Sequence, residues 1–391
     1  MILFEEASEI IKNKARILGA ESVSLDDSLG KVLGEDIRSD INMPPFNKSA
    51  MDGYACRKAD LANELFVLEV ISAGELPSMV VGENQCSKIM TGAVVPEGAD
   101  TVIMVEFTKE VTPNTIRYLK DFSKENICYL AEDVQEGDVV LKEGTLIEPK
   151  HIPVLASVGA VDFKVYRMPM IAIISTGDEL VEPQFIPNSS QIRNSNAYQL
   201  IAQTKKIGIE AKYIGIAKDT KESTRLMLQK AIQQADIIII SGAVSMGDFD
   251  FVPIVMKEEG VEIHFHGVET KPGKKIVFGT NKDKWFFGVP GNPVSSFVQF
   301  EMLIKPLIYK IMGAECISPL YKLVMGEDFS RKKASRKSFE PIKITKEGRV
   351  ERVDYNGSAH INALSYAQGM MIVDRGIFTI KKGEIVNVRP I

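Results

Sequence analysis

The feature that most constrains the fold is a regular alternation of apolar strand-like runs and helix-like runs over residues 170–312. Strand-like runs such as MIAIIST (170–176) and ADIIIISG (235–242) alternate with amphipathic stretches such as NAYQLIAQTKKIG (196–208). Apolar strands that alternate with helices are typical of a parallel sheet covered by helices on both faces. The sequence therefore predicts a central, doubly wound parallel α/β domain that ends in a long helix over residues 293–313.

The segments on either side of this alternation predict β structure. Short β-runs separated by glycine and proline turns follow the Pro44–Pro45 pair, and five more occupy residues 321–391. The last segment also differs in charge, because residues 327–391 carry a net +5 while the whole chain carries −5. We therefore expect a multidomain α/β plus β protein with these parts: a linking domain from 1–45 and 138–168, a small β-rich domain over 46–137, the α/β domain over 169–315, and a C-terminal β-barrel over 316–391.

Composition excludes several classes of protein. Asp and Glu (52) outnumber Lys and Arg (47), whereas dedicated nucleic-acid binders have a basic excess, so no nucleic-acid partner is expected. No run approaches 18 apolar residues, so no membrane span is expected, and the N-terminal MILFEEASEIIKNKARIL does not resemble a secretory signal. Four widely spaced cysteines argue against a zinc site or disulfide framework and indicate a cytoplasmic protein. For His264 and His266, an exposed strand face is favoured over a metal pair.

In an open α/β sheet, ligands bind outside the carboxyl ends of the strands, and two predicted strand ends are followed by acidic loops. The first loop is Thr176-Gly177-Asp178-Glu179. The second runs from Ser241 and Gly242 through Ser245 and Asp248 to Asp250. Carboxylates of this kind can bind a hard cation, and small-residue loops can offer backbone N–H groups to an anion. Taken alone, the first loop is better explained as an ordinary acidic turn, and the second is equally well explained as a plain connection.

Two further segments have the chemistry of anion binding. Lys271 and Lys274 flank a Pro-Gly turn and provide positive charge, although a solvated basic turn is the common alternative. The segment Pro290-Gly291-Asn292-Pro293 opens the long helix with a good N-cap and a proline at the first turn, and Ser295 follows it. Capping alone explains the Asn and Pro of this segment but not the serines.

The four segments together predict a phosphate-bearing, nucleotide-like substrate bound with Mg²⁺. The chain contains neither a Walker A motif nor G-x-G-x-x-G, so a P-loop or dinucleotide site is not expected. No cysteine or histidine lies in these loops, which favours transfer assisted by metal and hydrogen-bond donors over covalent catalysis.

Seven motifs occur in the order found in the molybdopterin molybdenumtransferase (MoeA) family, which includes the gephyrin E domain. The resemblance covers essentially the whole chain and rests on PPFNKSAMDGYA (44–55), MTGAVVPEGADTVIMVE (90–106), ISTGDEL (174–180), SGAVSMGDFD (241–250), KPGKK (271–275), VPGNPVS (289–295) and GSAHINALS (357–365).

The resemblance implies an elongated homodimer of four domains, with dimerisation through the linking domain and an α/β domain that is adenylyltransferase-like. It implies that Mg²⁺, adenylylated molybdopterin and molybdate are bound, that the pyrophosphate is cleaved, that AMP is released, and that molybdenum enters the dithiolene. The adenylyltransferase that makes the substrate and the chaperones of molybdoenzymes are the implied protein partners.

The resemblance also implies roles for individual residues. Glu179 and Asp250 resemble the Mg²⁺ ligands, with Asp178, Asp219 and Asp248 as neighbours. The molybdate and pterin side corresponds to Lys271, Lys274, Pro290, Pro293, Ser295 and Ser358. Asp52 and Thr91 correspond to residues contributed by the β-rich domain, and the substrate-binding set is completed by Thr176, Gly177, Ser241, Gly242, Ser245, Gly291 and Asn292.

This chain departs from the family pattern at two positions. Ala243 replaces a glycine, and Gly267 replaces a basic residue whose charge His266 or Lys275 is a candidate to supply. Other readings remain open: a tungstate-selective paralogue, a nucleotide-pyrophosphate hydrolase, and a non-enzymatic gephyrin-like scaffold. The acidic and lysine loops favour an enzyme, since a scaffold has no need of them.

Overall fold

The structure is a computed structural model that describes residues 1–242, 244, 251–316, 318–354 and 357–391. Its central region contains a six-stranded sheet, whose strands are numbered here along the chain: β1 Ile171–Thr176, β2 Ala211–Ala217, β3 Ile237–Ser241, β4 Glu262–His266, β5 Val277–Asn281 and β6 Lys284–Val289. Their order across the sheet is β2-β1-β3-β6-β5-β4. The carboxyl ends of β1, β3 and β6 therefore lie side by side, since these strands are parallel neighbours.

The prediction of an all-parallel sheet is wrong for one strand. β2, β1, β3 and β6 are parallel, but β5 runs antiparallel to both β6 and β4. Only Lys282 and Asp283 separate β5 from β6, and a connection this short can join only antiparallel strands. The sheet is thus mixed, with the parallel order kept where the predicted site loops emerge.

Helices cover both faces of this sheet, as the alternation predicted. On one face Ile171, Ile173 and Phe287 pack with the helix Asn196–Lys206 and the long C-terminal helix. On the other face Ala172, Ile174 and Phe286 pack with the remaining two helices. Alternate residues of each strand face opposite cores, which explains why the strands are apolar throughout. The helices are Asn196–Lys206, Lys221–Ile232, Val252–Glu258 and the long helix, composed of Pro293–Gln299, a π-helical turn Phe300–Ile304, and Lys305–Ile311.

The N-terminal helix spans Phe4–Asn13, and its Ala7 and Ile11 pack into the core of the α/β region. A separate small core joins two distant segments of the chain, with Leu33, Leu155 and Val165 among its members. The elements around this core are the three-stranded sheet Ala20–Ser24, Asp162–Tyr166 and Val32–Leu33, the pair Ile37–Arg38 and Val139–Leu141, and the helix Ile152–Ser157.

The β-rich region is a six-stranded mixed sheet with two small cores on its faces. In spatial order its strands are Thr101–Met104, Gly53–Cys56, Gln85–Ile89, Glu64–Ile71, Thr115–Tyr118 and Thr108–Thr112. The short elements beside it are the strand pair Lys48–Ser49 and Ile127–Cys128 and the 3₁₀ turns Lys58–Asp60 and Val105–Phe107.

The C-terminal β-barrel is confirmed, because five strands close into a ring. In order around the ring they are Tyr321–Met325, Arg349–Arg352, Lys337–Ile344, Gly369–Val373 and Ile385–Pro390. A two-residue strand of the α/β region, Thr270–Lys271, adds to Lys337–Ser338 at the edge of this barrel. The remaining short elements are the pairs Phe329–Ser330 with Thr379–Ile380 and Leu180–Val181 with Ile192–Arg193, and the helix Asn362–Tyr366.

Within the described ranges, every helix is too short or too polar to cross a bilayer.

Candidate active site

A cleft of about 660 Å³ opens at the carboxyl ends of β1, β3 and β6, where the sequence placed the site. Its walls also include Lys275 and, from the barrel region, Ala359 and Ile361. Ten of the predicted site residues line it: Thr176, Gly177, Glu179, Asp219, Ser241, Gly242, Pro290, Gly291, Asn292 and Pro293.

The floor of the cleft is a close approach between the ends of β1 and β3. The buried Thr176 hydroxyl donates to the carbonyl of Ser241 over 3.3 Å. Gly242 has φ +100°, and a Cβ there would lie 2.5 Å from Oγ1 of Thr176 and 2.6 Å from its carbonyl oxygen. Only glycine fits both the backbone conformation and the space.

The acidic wall is formed by the loops after β1 and β2. Asp178 and Asp219 tie these loops together, because each backbone N–H donates to the other's carboxylate over 3.2 Å. The exposed carboxylate of Glu179 folds back over Gly177, where a Cβ would lie 2.5 Å from Oε2 of Glu179. Glu179 and Asp219 both line the cleft.

These carboxylates are more typical of an open Mg²⁺ site than of a metal site closed by protein ligands. Among the described residues, no three metal-ligating side chains group together. Mg²⁺ is commonly bound through one or two carboxylates, with substrate phosphates and water completing its coordination. The predicted second ligand, Asp250, lies outside the described residues. So do Asp248, Ser245 and Ala243, the residue that replaces a glycine of the family pattern.

A polar network that the sequence analysis missed supports the cleft. The Asn196 amide donates to Oγ of Ser241 and to the carbonyl of Gly291, each over 2.8 Å, and so joins the loops after β3 and β6. Asn194 accepts from Ser175 over 3.0 Å and donates to the Tyr213 hydroxyl over 2.9 Å. The available signal was the triplet Asn194-Ser195-Asn196, whose last residue begins the predicted helix 196–208; no site role was predicted for these residues.

The start of the long helix meets the barrel at Ser358. Asn292 occupies the N-cap position, but its side chain makes no capping hydrogen bond. Instead Nδ2 of Asn292 donates to Oγ of Ser358 over 3.0 Å, and the N–H of Val294 donates to the Ser358 carbonyl over 3.2 Å. Ser295 is buried and does not line the cleft.

The lysines of the KPGKK loop point to two different places. Lys275 lines the cleft, whereas Lys271 lines a separate pocket of about 480 Å³. This second pocket is called the basic pocket below. One acidic residue, Glu340, also lines it, together with five other basic residues: Arg331, Lys332, Lys333, Arg336 and Arg352. Lys274 is exposed and lines neither pocket.

The 357–361 segment of the barrel region borders both pockets. Gly357 lines the basic pocket, while Ala359 and Ile361 line the cleft. This one short segment thus contributes residues to both pockets.

The two histidines of β4 do not line the cleft, and each forms a hydrogen bond with another part of the α/β region. Nε2 of His264 pairs with Oγ1 of Thr280 at 2.8 Å, and burial lowers the pKa of His264. Nε2 of His266 pairs with the carbonyl of Val244 at 3.1 Å. Since Lys275 lines the cleft and His266 does not, Lys275 is the better candidate for the charge that Gly267 lacks.

Asp52 and Thr91 lie together in the β-rich region. The exposed Asp52 carboxylate accepts from the N–H of Thr91 over 2.7 Å and from its hydroxyl over 2.9 Å. These two hydrogen bonds hold the pKa of Asp52 below its usual value. Neither residue lines the cleft or the basic pocket.

Comparisons with known proteins agree along the chain. Residues 2–159 match the family model "MoeA N-terminal region (domain I and II)", and residues 172–310 match "Probable molybdopterin binding domain". The molybdopterin molybdenumtransferase of Staphylococcus aureus is 34% identical over 98% of this chain and 94% of its own length. That of Staphylococcus epidermidis is 35% identical over 94% of this chain and 90% of its own length.

A solved structure agrees in fold over the whole length. The crystal structure of the molybdopterin biosynthesis MoeA protein from Pyrococcus horikoshii OT3 superimposes with a TM-score of 0.86 at 28% identity, covering 100% of both chains. Sequence identity above 30% over nearly the full chain, two matching family models and a shared fold lead to one conclusion: this chain belongs to the molybdopterin molybdenumtransferase (MoeA) family.

Proposed function

We propose that the protein inserts molybdenum into adenylylated molybdopterin, with Mg²⁺ bound, cleavage of the pyrophosphate and release of AMP. The observation that carries the proposal is the cleft itself, whose walls combine carboxylates, glycine-lined backbone and a helix start. A pyrophosphate is suited to such walls, because carboxylates can bind a cation beside it and backbone N–H groups of the loop before the helix can donate to its oxygens; Pro293 has no N–H, and that of Val294 already donates to Ser358.

Within the cleft, this chain's residues have separate tasks. Glu179 with Asp250 would bind Mg²⁺, which supplies neutralising charge for the pyrophosphate when it is bound. Asp178 and Asp219 hold the two acidic loops against each other through their reciprocal hydrogen bonds. Gly291 and Asn292 line the cleft directly before the helix start, so their N–H groups are the candidate donors to a phosphate oxygen.

The basic pocket is proposed to hold the molybdate oxyanion. Lys271 shares it with five cations and a single carboxylate, so the pocket favours an anion. The 357–361 segment contributes residues to the basic pocket and to the cleft, and it contains Ser358, which contacts the helix start. Binding the oxyanion next to the pterin phosphate would shorten its path to the dithiolene.

One incubation tests this function. Purified protein is mixed with adenylylated molybdopterin, Mg²⁺ and either molybdate or tungstate, and AMP release and active cofactor are measured. We expect both products with molybdate, and none when Mg²⁺ is omitted. AMP release without cofactor formation would identify a pyrophosphate hydrolase, tungstate-only activity would identify a tungstate-selective enzyme, and no AMP release would refute the proposal.

We also propose that the protein is a homodimer whose active site is shared between subunits. Asp52 and Thr91 are exposed and lie outside the monomer's own cleft, so their proposed role requires a second copy. Asp52→Asn and Asp250→Asn each inactivate a different part of such a site. A mixed dimer would then contain one intact site and one doubly damaged site.

Re-equilibrating the two inactive variants should restore about a quarter of wild-type activity, because about half of the dimers are mixed and each has one intact site. Mass spectrometry must confirm that the subunits exchange. Confirmed exchange with no recovered activity would contradict the shared site.

A further inference from the structure

A buried amide on the long helix forms hydrogen bonds with the loop that carries Lys271 and Lys274. Gln299 is 1% exposed and is the last residue before the π-helical turn Phe300–Ile304. Its Nε2 donates to the carbonyl of Gly273, which directly precedes Lys274, and to Oγ1 of Thr270 over 3.2 Å. The centre of the lysine loop is therefore attached to the helix by one side chain.

Thr270 completes this attachment from the base of the loop. It is 1% exposed, and its hydroxyl donates to the Gly273 carbonyl over 3.1 Å. Gly273 has φ +91°, and a Cβ there would lie 2.4 Å from Nε2 of Gln299. The glycine thus allows the amide to approach the backbone closely.

The barrel holds the same loop from its other end. Thr270 and Lys271 pair in parallel with Lys337 and Ser338, and the Arg336 guanidinium donates to the Thr270 carbonyl over 3.1 Å. In the described part of the chain, neither Lys271 nor Lys274 forms an ion pair. The backbone of the loop, rather than a carboxylate partner, therefore determines where the lysine charges lie.

We propose that Gln299 is a positioning residue for oxyanion binding, which acts by fixing the loop that presents Lys271 to the basic pocket. This inference rests on the proposed function, and it adds a residue that touches neither the cleft nor the basic pocket. Burying an amide without hydrogen-bond partners costs free energy. Gln299 therefore stabilises the loop conformation in which its hydrogen bonds are made.

The test compares two buried glutamines: Gln299, which belongs to the long helix, and Gln203, which contacts that helix from the neighbouring helix Asn196–Lys206. Gln299→Met keeps the length and apolar volume of the side chain but removes the donor. The control is Gln203→Met, because Nε2 of Gln203 donates to Glu301 over 2.9 Å and to Phe297, away from the lysine loop. Both variants are measured for molybdate binding by calorimetry and for the molybdate dependence of AMP release.

For Gln299→Met we expect the molybdate dissociation constant and half-saturating concentration to rise about tenfold, equivalent to about 1.4 kcal/mol, with the rate at saturating molybdate within about twofold of wild type. Gln203→Met should leave both molybdate values unchanged. Unfolding by denaturant shows whether the two variants lose similar stability. If they do, a general weakening of the fold would change the molybdate values of both variants alike.

A second pair of variants shows whether Gln299 acts through the lysines. In a Lys271→Ala/Lys274→Ala background, Gln299→Met should cause no further change in molybdate binding. Unchanged binding in the single variant, an equal change in the control, or a full tenfold change without the lysines would each overturn the inference. If AMP release is absent in wild type, the proposed function fails, and calorimetry with molybdate alone still decides for or against Gln299.

Discussion

Replacing Gly242 with alanine tests the close approach that forms the floor of the cleft. The new Cβ would lie 2.5 Å from Oγ1 and 2.6 Å from the carbonyl oxygen of Thr176, and Gly242 has φ +100°. Real carbon atoms do not approach oxygen this closely, so the ends of β1 and β3 must separate. The variant is therefore expected to lose both stability and the shape of the site.

The magnitude has two parts. A positive φ costs a residue with a Cβ about 1–2 kcal/mol, and forcing extra atoms into a packed site costs about 1–3 kcal/mol more. The total for Gly242→Ala is then about 2–5 kcal/mol. Gly208→Ala is the matched control, because Gly208 has φ +80° but its Cβ would meet only Cε of Met168, at 4.0 Å.

The assay is denaturant unfolding followed by fluorescence. Trp285 is the only tryptophan of the chain, is 1% exposed and is the second residue of β6, so its emission reports unfolding of the α/β region. At equal slopes, the midpoint should fall clearly further for Gly242→Ala than for Gly208→Ala. Equal midpoints for the two variants would show that β1 and β3 do not approach each other as described.

Two further predictions concern the polar groups of the site. Asn196→Ala removes two hydrogen bonds of 2.8 Å and leaves the Gly291 carbonyl without its donor. It should therefore destabilise the α/β region by about 1–3 kcal/mol and raise the KM for adenylylated molybdopterin. An unchanged KM would contradict the role of Asn196 in joining the two loops. Lys271→Ala should raise the molybdate requirement more than it weakens binding of the pterin substrate, whereas Lys274→Ala should have a smaller effect because Lys274 lines neither pocket. Titrating each substrate at a saturating level of the other measures this, and an unchanged molybdate dependence in Lys271→Ala would refute it.

The fold was predictable where the sequence pattern is periodic or clearly punctuated. The five barrel strands follow from short apolar runs divided by turns, and the α/β order follows from alternating strands and helices. β5 was missed because Val277–Asn281 contains only two large apolar residues and follows a basic turn. Its direction depends on a two-residue connection, which is too short to recognise without knowing where both strands end.

The site was predictable as a set of loops but not as a set of contacts. Lys271 and Lys275 are four residues apart in sequence, yet pairing of Lys271 with the barrel directs them to different pockets. Asn196 and Gln299 were missed for a common reason. Each lies in a helix where a polar residue usually faces solvent, and only the packing of distant segments reveals that it is buried against backbone carbonyls.

The most direct test of the central claim measures AMP release by Glu179→Gln against Glu222→Gln. Glu179 lines the cleft, whereas Glu222 is an exposed carboxylate at the start of the helix Lys221–Ile232 and does not. If the cleft cleaves the pyrophosphate with Mg²⁺ held by Glu179, Glu179→Gln should lose activity by at least on the order of 100-fold while Trp285 fluorescence shows an intact fold. Glu222→Gln should match wild type. Near wild-type AMP release by Glu179→Gln would contradict the assignment of the cleft as the active site.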